Sequence, residues 1–143
     1  MTRAKFFIKG AISTRYISGM IGKHGENSGL GAHVIFLGQV RSDKKNKKVV
    51  KEIQYSVYAP MAEKEFQKIK DEAFERYPLH CLHIVHSTGK VGTGEISLAV
   101  MASAGHRKKT FEALKFIVEQ IKKRVPIWKK EVYDDGSEVW IKH

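Results

Sequence analysis

Short stretches in which apolar residues run together or alternate with polar ones predict a chain built largely from β-strands. The predicted strands are Lys5–Lys9, Ala32–Val40, Val49–Tyr58, Leu79–Ser87, Ile96–Ala102, Trp128–Tyr133 and Glu138–Ile141. Asp135-Gly136, between the last two, is a strong signal for a hairpin turn. In the third strand Ile53, Tyr55 and Val57 fall on one face, so that face is predicted to be buried.

Two amphipathic helices are predicted in the first half of the chain. Ser13 is a candidate N-cap for a helix from Thr14 to about Ile21. A longer helix is predicted over Met61–Arg76, because apolar residues recur there at helical spacing and Pro60 is accepted in a first turn. Since short turns join most neighbouring strands, the order of elements predicts an α+β fold with a mostly antiparallel sheet and flanking helices, in one domain over residues 1–143.

The last helix is predicted to begin at Gly105-His106-Arg107 and to end near Arg124 or Val125. Pro126 ends it, because the residue before a proline is pushed out of the α region. Its buried stripe is predicted to consist of Phe111, Leu114, Val118, Ile121 and Val125.

Glycine-rich and lysine-rich segments are predicted to connect these elements. Gly22–Gly31 is a predicted loop, Gly89–Gly94 a predicted turn between strands, and Gly38 a bulge or close backbone approach. The tract SDKKNKK (Ser42–Lys48) follows Arg41 and contains no apolar residue. It is predicted to be a solvated, mobile loop that guides an acidic partner by long-range attraction.

Composition narrows the classes of function. The 143 residues carry a formal net charge of +11, so the surface should attract an anion such as nucleic acid, an acidic protein or a phosphorylated small molecule. A single cysteine, Cys81, excludes an internal disulfide framework and fits a reducing compartment. We find no apolar run of membrane-spanning length and no apolar core of a signal peptide, which predicts a cytoplasmic protein without membrane contact.

Metal-dependent chemistry is not favoured. His80 and His86 should point to one face of their strand and His83 to the other, so the three cannot converge on one ion. Surface positions or hydrogen-bonded core positions are the preferred interpretation of these histidines. No P-loop, CxxC pair or Gly-x-Ser-x-Gly elbow occurs either. No metal and no cofactor are therefore expected.

The stretch IKKRVPIWKKE (Ile121–Glu131) concentrates five cations around Pro126, with Ile127-Trp128 as a predicted apolar anchor. Some of this charge only complements the C-terminal end of a helix. Lys122 lies at the margin of the predicted stripe among other cations, and should therefore lose part of its preference for the charged form, as a nucleophilic or proton-transferring lysine does. The alternative is a lysine whose aliphatic stem merely covers the edge of the core.

His106-Arg107 forms a second candidate site, at the start of the last helix. Backbone N–H groups at a helix N-terminus favour an anion, and a guanidinium adds a charge-assisted contact. A phosphate or carboxylate site and an ordinary polar helix start are both compatible with these residues.

Several segments together resemble the large, catalytic subunit of molybdopterin synthase. They are FLGQVR (Phe36–Arg41), YAPMAEK (Tyr58–Lys64), IVHSTGKVGTGE (Ile84–Glu95), SAGHR (Ser103–Arg107), FEALKFIVEQIKKRVPIWKKE (Phe111–Glu131) and Trp140. Each is weak alone, but their order and spacing are specific. The resemblance implies an α/β-hammerhead fold and a sulfurtransferase of molybdenum cofactor biosynthesis.

The resemblance also implies the substrate and the partner. The substrate would be cyclic pyranopterin monophosphate, and sulfur would come from the C-terminal Gly-Gly thiocarboxylate of a small ubiquitin-like subunit. The large subunits would form a homodimer at the centre of a heterotetramer. The essential lysines of the family fall on Lys122 and Lys129, and its pterin- and phosphate-binding residues on Arg41, His106 and Arg107.

These five residues are expected to converge in one pocket. Nucleic acid is an unlikely partner on this interpretation. The alternative is a non-catalytic basic module that binds RNA or a ubiquitin-like protein.

Overall fold

A computed structural model describes residues 6–24 and 28–141 of the chain. Its elements are β1 (Phe7–Lys9), α1 (Thr14–His24), β2 (Ala32–Gln39), β3 (Lys44–Lys45), β4 (Lys48–Val57), α2 (Ala59–Arg76), β5 (Leu79–Gly92), β6 (Ile96–Ala104), α3 (Arg107–Arg124), β7 (Ile127–Tyr133) and β8 (Glu138–Ile141). Lys5 of the predicted first strand and residues 25–27 of the predicted loop lie outside the described residues. The predicted α+β fold with a mostly antiparallel sheet is confirmed.

One sheet carries the strands in the order β2-β6-β5-β4-β7-β8, with β3 paired to β4 and β1 running parallel to β5. The central strand β5 changes neighbours along its length, because Leu79–His86 pairs with β6 and Gly89–Gly92 pairs with β4. Gly89 has a φ of 77° at this change. The predicted turn over Gly89–Gly94 is thus mostly strand, and the chain reverses only at residues 93–95.

Helices cover both faces of the sheet. On one face α2 and α3 bury Phe66, Ile69 and Ile117 against β5 and β6. On the other face α1 contributes Met20 to a smaller cluster with Val85 and Met101. Ser13 caps α1 as predicted, since its Oγ accepts the Tyr16 N–H at 3.1 Å, although the helix runs three residues beyond Ile21.

The end of α3 is as predicted, and its buried face is so in part, since Leu114 and Val118 pack against the core. The helix stops at Arg124 before Pro126, and Ile121 and Val125 are buried. Phe111, however, is 58% exposed, and the buried line runs through Thr110, Ala113, Ile117 and Ile121. Thr110 tolerates burial because its hydroxyl donates to the His106 carbonyl at 2.6 Å, which satisfies its polar group within the helix.

The lysine-rich tract is solvent-exposed as predicted, but it forms a hairpin, so the prediction of a loop was wrong. β3 and β4 pair around Asn46 and Lys47, whose φ values of 49° and 68° are those of a type I′ turn. Lys45 contacts Glu131 at 2.9 Å, and Lys48 donates to the Ser137 hydroxyl at 3.1 Å. Two of the four lysines therefore tie this hairpin to β7 and to the turn that follows it.

The predicted bulge at Gly38 is present, because the register between β2 and β6 shifts between Gly38 and Gln39. The predicted hairpin of β7 and β8 also forms, with Gly136 at a φ of 87°. Within residues 6–24 and 28–141, none of the helices is apolar enough over its length to cross a membrane.

Candidate active site

A cavity of about 560 Å³ opens where the end of β2, the middle of β4, the last turn of α3 and β7 meet. Its apolar wall comes from Phe36, Val40, Leu98, Ile121, Val125 and Ile127. Three cationic side chains, those of Arg41, Lys122 and Lys129, also line it. Its volume is in the range of sites for small molecules, and the combination of apolar wall and cations suits a flat, anionic ligand.

The connection between α3 and β7 brings the two lysines to one cavity. Because Pro126 cannot continue the helix, the chain leaves α3 at Val125, whose N–H donates to the Ile121 carbonyl at 3.1 Å. Only two residues, Val125 and Pro126, separate the end of α3 from the start of β7 at Ile127. Lys122 in the last helical turn and Lys129 in the strand thus face the same space from two elements.

Lys129 is the lysine of the pair that is held in a perturbed environment. Its side chain is half-buried, and burial together with the nearby charge of Lys122 lowers its pKa, while Glu131 opposes this. Lys122 is exposed. The sequence predicts that Lys122, at the margin of the apolar stripe, loses part of its preference for the charged form. Its position on the last turn of α3 instead leaves it open to solvent, and the half-buried lysine is Lys129.

Glu131 is a site residue that was not identified from the sequence. Its side chain lines the cavity and is 10% exposed. One carboxylate oxygen, Oε1, accepts hydrogen bonds from the Lys45 ammonium at 2.9 Å and the Tyr133 hydroxyl at 2.7 Å. Burial acts to raise its pKa, but these hydrogen bonds and the charges of Lys45 and Lys129 outweigh burial and lower it. The available signal was the spacing of Lys129 and Glu131, which places both on one face of a strand.

Tyr55, Ser97 and His86 supply polar groups to the cavity wall. The Tyr55 hydroxyl donates to the Ser97 oxygen at 3.1 Å, and burial raises the pKa of Tyr55. The His86 ring packs edge-on to Tyr55 with centroids 5.0 Å apart, and its Nδ1–H donates to the Ser87 carbonyl at 2.7 Å. His86 is thus the buried, hydrogen-bonded histidine that one interpretation of the sequence predicted.

His83 lies on the opposite face of β5, where its Nε2 is 2.8 Å from the Tyr16 hydroxyl. The predicted divergence of His83 and His86 is therefore confirmed. In the described part of the chain, no three His, Cys, Asp or Glu side chains are grouped so that they could hold a metal ion.

Arg41 occupies the rim of the cavity. It lies two residues beyond the end of β2, its side chain is 81% exposed, and its guanidinium lies 3.3 Å from the Asp43 carboxylate. An exposed pair of this kind contributes little to stability, so a more highly charged anion can displace Asp43 at small cost.

His106 and Arg107 do not line this cavity. They stand at the opposite end of α3, where His106 is the N-cap and Arg107 the first helical residue. Fifteen residues of helix separate Arg107 from Lys122, which corresponds to about 22 Å along the axis. In the single chain, the prediction that all five site residues converge in one pocket is therefore wrong for these two.

Two further residues of the basic stretch have other roles. Arg124 contacts Glu65 and Glu72 at 3.0 and 2.8 Å, which ties α3 to α2. Trp128 is 62% exposed, so the predicted apolar anchor is formed by the buried Ile127 alone.

Comparison with known proteins places the fold and these residues in a family. The model of the MoaE protein family matches residues 11–124. The molybdopterin synthase catalytic subunit of Pyrococcus abyssi (strain GE5 / Orsay) is 46% identical over 115 residues, covering 80% of this chain and 76% of that protein. The same-named protein of Staphylococcus carnosus (strain TM300) is 40% identical over 113 residues, covering 79% and 74%.

Solved structures agree with the sequence comparison. The crystal structure of molybdopterin synthase from Staphylococcus aureus superposes with a TM-score of 0.84 and 33% identity over all of both chains. A protein–protein complex of subunits 1 and 2 of molybdopterin-converting factor from Helicobacter pylori 26695 gives a TM-score of 0.82 at 23% identity, covering 99% and 92%, and shows likeness of fold alone. The resemblance noted in the sequence is confirmed: this chain belongs to the MoaE protein family.

Proposed function

We propose that this chain is the catalytic subunit of a molybdopterin synthase. It would transfer sulfur from the C-terminal thiocarboxylate of a small ubiquitin-like subunit to cyclic pyranopterin monophosphate, forming the dithiolene of molybdopterin. The observation that carries the proposal is the convergence of Arg41, Lys122 and Lys129, from three separate segments, on one cavity. The relatives named molybdopterin synthase catalytic subunit support an enzymatic role in molybdopterin biosynthesis.

The cavity suits the proposed substrate. An apolar wall around Phe36 and Leu98 offers packing for a flat pterin, and Arg41 at the rim offers a guanidinium for the cyclic phosphate. Such contacts hold the pterin in one orientation and leave the lysines next to its reactive part. The chemistry is assigned to these side chains, and the proposal includes no metal and no cofactor.

Lys122 and Lys129 have different roles in the proposed reaction, because one is exposed and the other is half-buried. Lys122 is exposed and can meet the C-terminal tail of an arriving partner, where it acts on the thiocarboxylate or the pterin as a nucleophile or proton donor. Lys129 lies deeper and has a lowered pKa, so its ammonium gives up a proton more readily than that of an ordinary lysine and can stabilise developing negative charge.

His106 and Arg107 enter the proposal through a second copy of the chain. Since about 22 Å of helix separates them from Lys122, they can bind the same pterin only if they reach a neighbouring protomer's cavity. A homodimer at the centre of a heterotetramer with two small subunits provides this arrangement.

Reconstitution tests the function directly. The purified chain is mixed with the thiocarboxylated small subunit and cyclic pyranopterin monophosphate, and the dithiolene product is detected by its oxidised fluorescent derivative. We expect product in this mixture and none when the small subunit ends in an ordinary carboxylate. Binding of the small subunit without any product would instead identify a non-catalytic binding module.

A further inference from the structure

The ion pair between Lys45 and Glu131 joins two parts of the chain that are 86 residues apart. Lys45 lies on β3, and its side chain is 46% exposed, whereas that of Glu131 is 10% exposed. Glu131 lines the cavity, and Lys45 contacts it from outside. A surface lysine of the hairpin therefore reaches an almost buried carboxylate of the candidate active site.

Glu131 has two cations that could compete for it. Lys129 precedes it by two residues on β7, so both side chains are on one face of the strand. Lys45 and the Tyr133 hydroxyl both bind Oε1, at 2.9 and 2.7 Å. Besides Lys45, the cation whose charge acts on the Glu131 carboxylate is Lys129.

Other ionisable groups also surround Lys129 in the cavity. They are Arg41 and Asp43 from the segment after β2, Tyr55 on β4, His86 on β5, Lys122 on α3 and Glu131 on β7. Asp43 is engaged by Arg41 at 3.3 Å. Glu131 is accordingly the carboxylate whose charge acts on Lys129, and it raises the pKa that burial and Lys122 lower.

We propose that Lys45 is a positioning residue of the cavity: its ammonium holds Glu131 on the hairpin side, so that Lys129 is left without a tight carboxylate partner. Lys45 then acts on the chemistry only through Glu131. The consequence for sulfur transfer rests on the proposed function, whereas the effect on Lys129 can be measured without it.

The expected effect follows from charge. With Lys45 replaced by methionine, only the Tyr133 hydroxyl still binds Oε1, and the Glu131 carboxylate can turn towards Lys129. An opposite charge at close range favours the ammonium form, so the pKa of Lys129 should rise. Lys44 supplies a matched control. It is exposed, it precedes Lys45 on β3, and it points to the other face of that strand.

The titration of Lys129 tests the proposal in the folded full-length chain. Lysines are labelled by reductive methylation with ¹³C-formaldehyde, their NMR signals are followed against pH, and Lys129→Arg assigns the signal. We expect Lys45→Met to raise the midpoint of the Lys129 titration by about one pH unit. Lys44→Met and Lys45→Arg should leave it unchanged. An unchanged or lowered midpoint in Lys45→Met would overturn the proposal.

A double variant separates the charge effect from damage to the hairpin. Lys45→Met combined with Glu131→Gln removes the carboxylate as well, so the Lys129 midpoint should return to the wild-type value or below. A midpoint that stays high would mean that Lys45→Met acts by disturbing the fold, and would also overturn the proposal.

The pH–rate profile then links the pair to catalysis. In active preparations, Lys45→Met should move the inflection that belongs to Lys129 to higher pH, and Lys45→Arg should restore it. Wild-type chain that makes no dithiolene product while the NMR midpoint shifts as expected would refute the proposed function and leave the positioning role of Lys45 intact.

Discussion

Lys122 and Lys129 are seven residues apart, and their different surroundings follow from the elements that carry them. Lys122 is in the last turn of α3 and is exposed. Lys129 is in β7 between β4 and β8, where it pairs with Tyr55 and Ile141 and is half-buried. A side chain in the interior of a sheet loses more water than one on the open side of a helix end. The same type of residue can therefore serve as an accessible group and as a desolvated one within a single cavity.

Replacement of Lys122 tests its chemical role. Lys122→Ala should abolish sulfur transfer and lower the free energy of unfolding by less than about 1 kcal/mol, since an exposed lysine contributes little to the core. Lys122→Arg should also fail, because a guanidinium does not deprotonate in the accessible pH range. Product formation at saturating small subunit is the measurement. Near-normal turnover of Lys122→Arg would show that Lys122 acts only through its positive charge and not as a nucleophile or proton donor.

Replacement of Lys129 should separate stability from activity. The pKa of Lys129 is lowered in the folded state, so the unfolded chain binds more protons between that pKa and the unfolded value near 10.4. The free energy of unfolding therefore rises with pH across this window. Below the folded-state pKa, Lys129 is charged in both states and destabilises the folded chain to the full extent.

Lys129→Met should accordingly raise the Tm at neutral pH by about 2 °C or more, while activity falls. The control is Lys123→Met, which replaces an exposed lysine in the last turn of α3. Thermal unfolding followed by circular dichroism at several pH values is the measurement. A Tm at neutral pH that is equal to or below that of the wild type would show that burial of Lys129 carries no such penalty.

The sequence predicted some site residues and missed others for a physical reason. Lys122 was singled out from its own neighbourhood, at the end of a helix before a proline, and Lys129 and Arg41 from family motifs. Glu131, Tyr55 and His86 were missed, because their place in the cavity depends on which strands pair and in which register. Local patterns determine where strands lie, whereas pairing between distant strands decides which side chains meet.

At the scale of elements, helix ends were easier to predict than helix faces. Pro126 acts on its immediate neighbours, so α3 ends at Arg124 as expected. The buried face was misjudged by one residue at Phe111, because Thr110 can be buried once its hydroxyl bonds to His106. A prediction based on hydrophobicity alone leaves Thr110 out of the core and places Phe111 there instead.

The β3–β4 hairpin was predicted to be a loop because its turn has an unusual sequence. Its central residues Asn46 and Lys47 both have positive φ, and the second position of a type I′ turn usually holds glycine. A lysine there concealed the turn. Lys45 and Lys48 then stabilise the hairpin by contacts with distant residues of β7 and its following turn, which no local pattern indicates.

The hairpin lysines should fall into two functional groups. Lys44 and Lys47 are exposed, and neutralising both with Lys44→Gln and Lys47→Gln should slow association with the proposed acidic small subunit and flatten the salt dependence of the association rate. Dissociation and the rate at saturating partner should be unchanged. Stopped-flow association at several salt concentrations measures this effect. A large fall in the saturated rate would place these two lysines in the chemical step.

At the scale of the whole molecule, a net charge of +11 is spread over several surfaces. Arg41, Lys122 and Lys129 gather at one cavity, whereas His106 and Arg107 stand at the far end of α3. Arg124 forms ion pairs with Glu65 and Glu72. The sequence shows the total charge but not its distribution. The family resemblance assigns Arg107 and Lys122 to one site, whereas the 18-residue helix α3 holds them near its two ends.

A mixture of two inactive variants tests whether two copies of the chain build one site. Lys122→Ala lacks a cavity lysine, and Arg107→Ala lacks the cation at the other end of α3. If Arg107 serves the neighbouring protomer's cavity, a dimer containing one chain of each kind has one intact site and one site with both defects. Random re-association makes about half of the dimers mixed, so the mixture should regain about a quarter of wild-type activity.

The chains are mixed, dissociated and re-associated before the dithiolene assay, and each variant alone is treated in the same way. A matched mixture of Lys122→Ala with Lys129→Ala should regain nothing, because both residues belong to the cavity of one chain and every mixed dimer then lacks a lysine at each site. Recovery in the first mixture and not in the second would locate Arg107 in the neighbour's site. Failure of the first mixture to regain activity, with mixed dimers verified by mass spectrometry, would show that Arg107 does not bind substrate across a dimer.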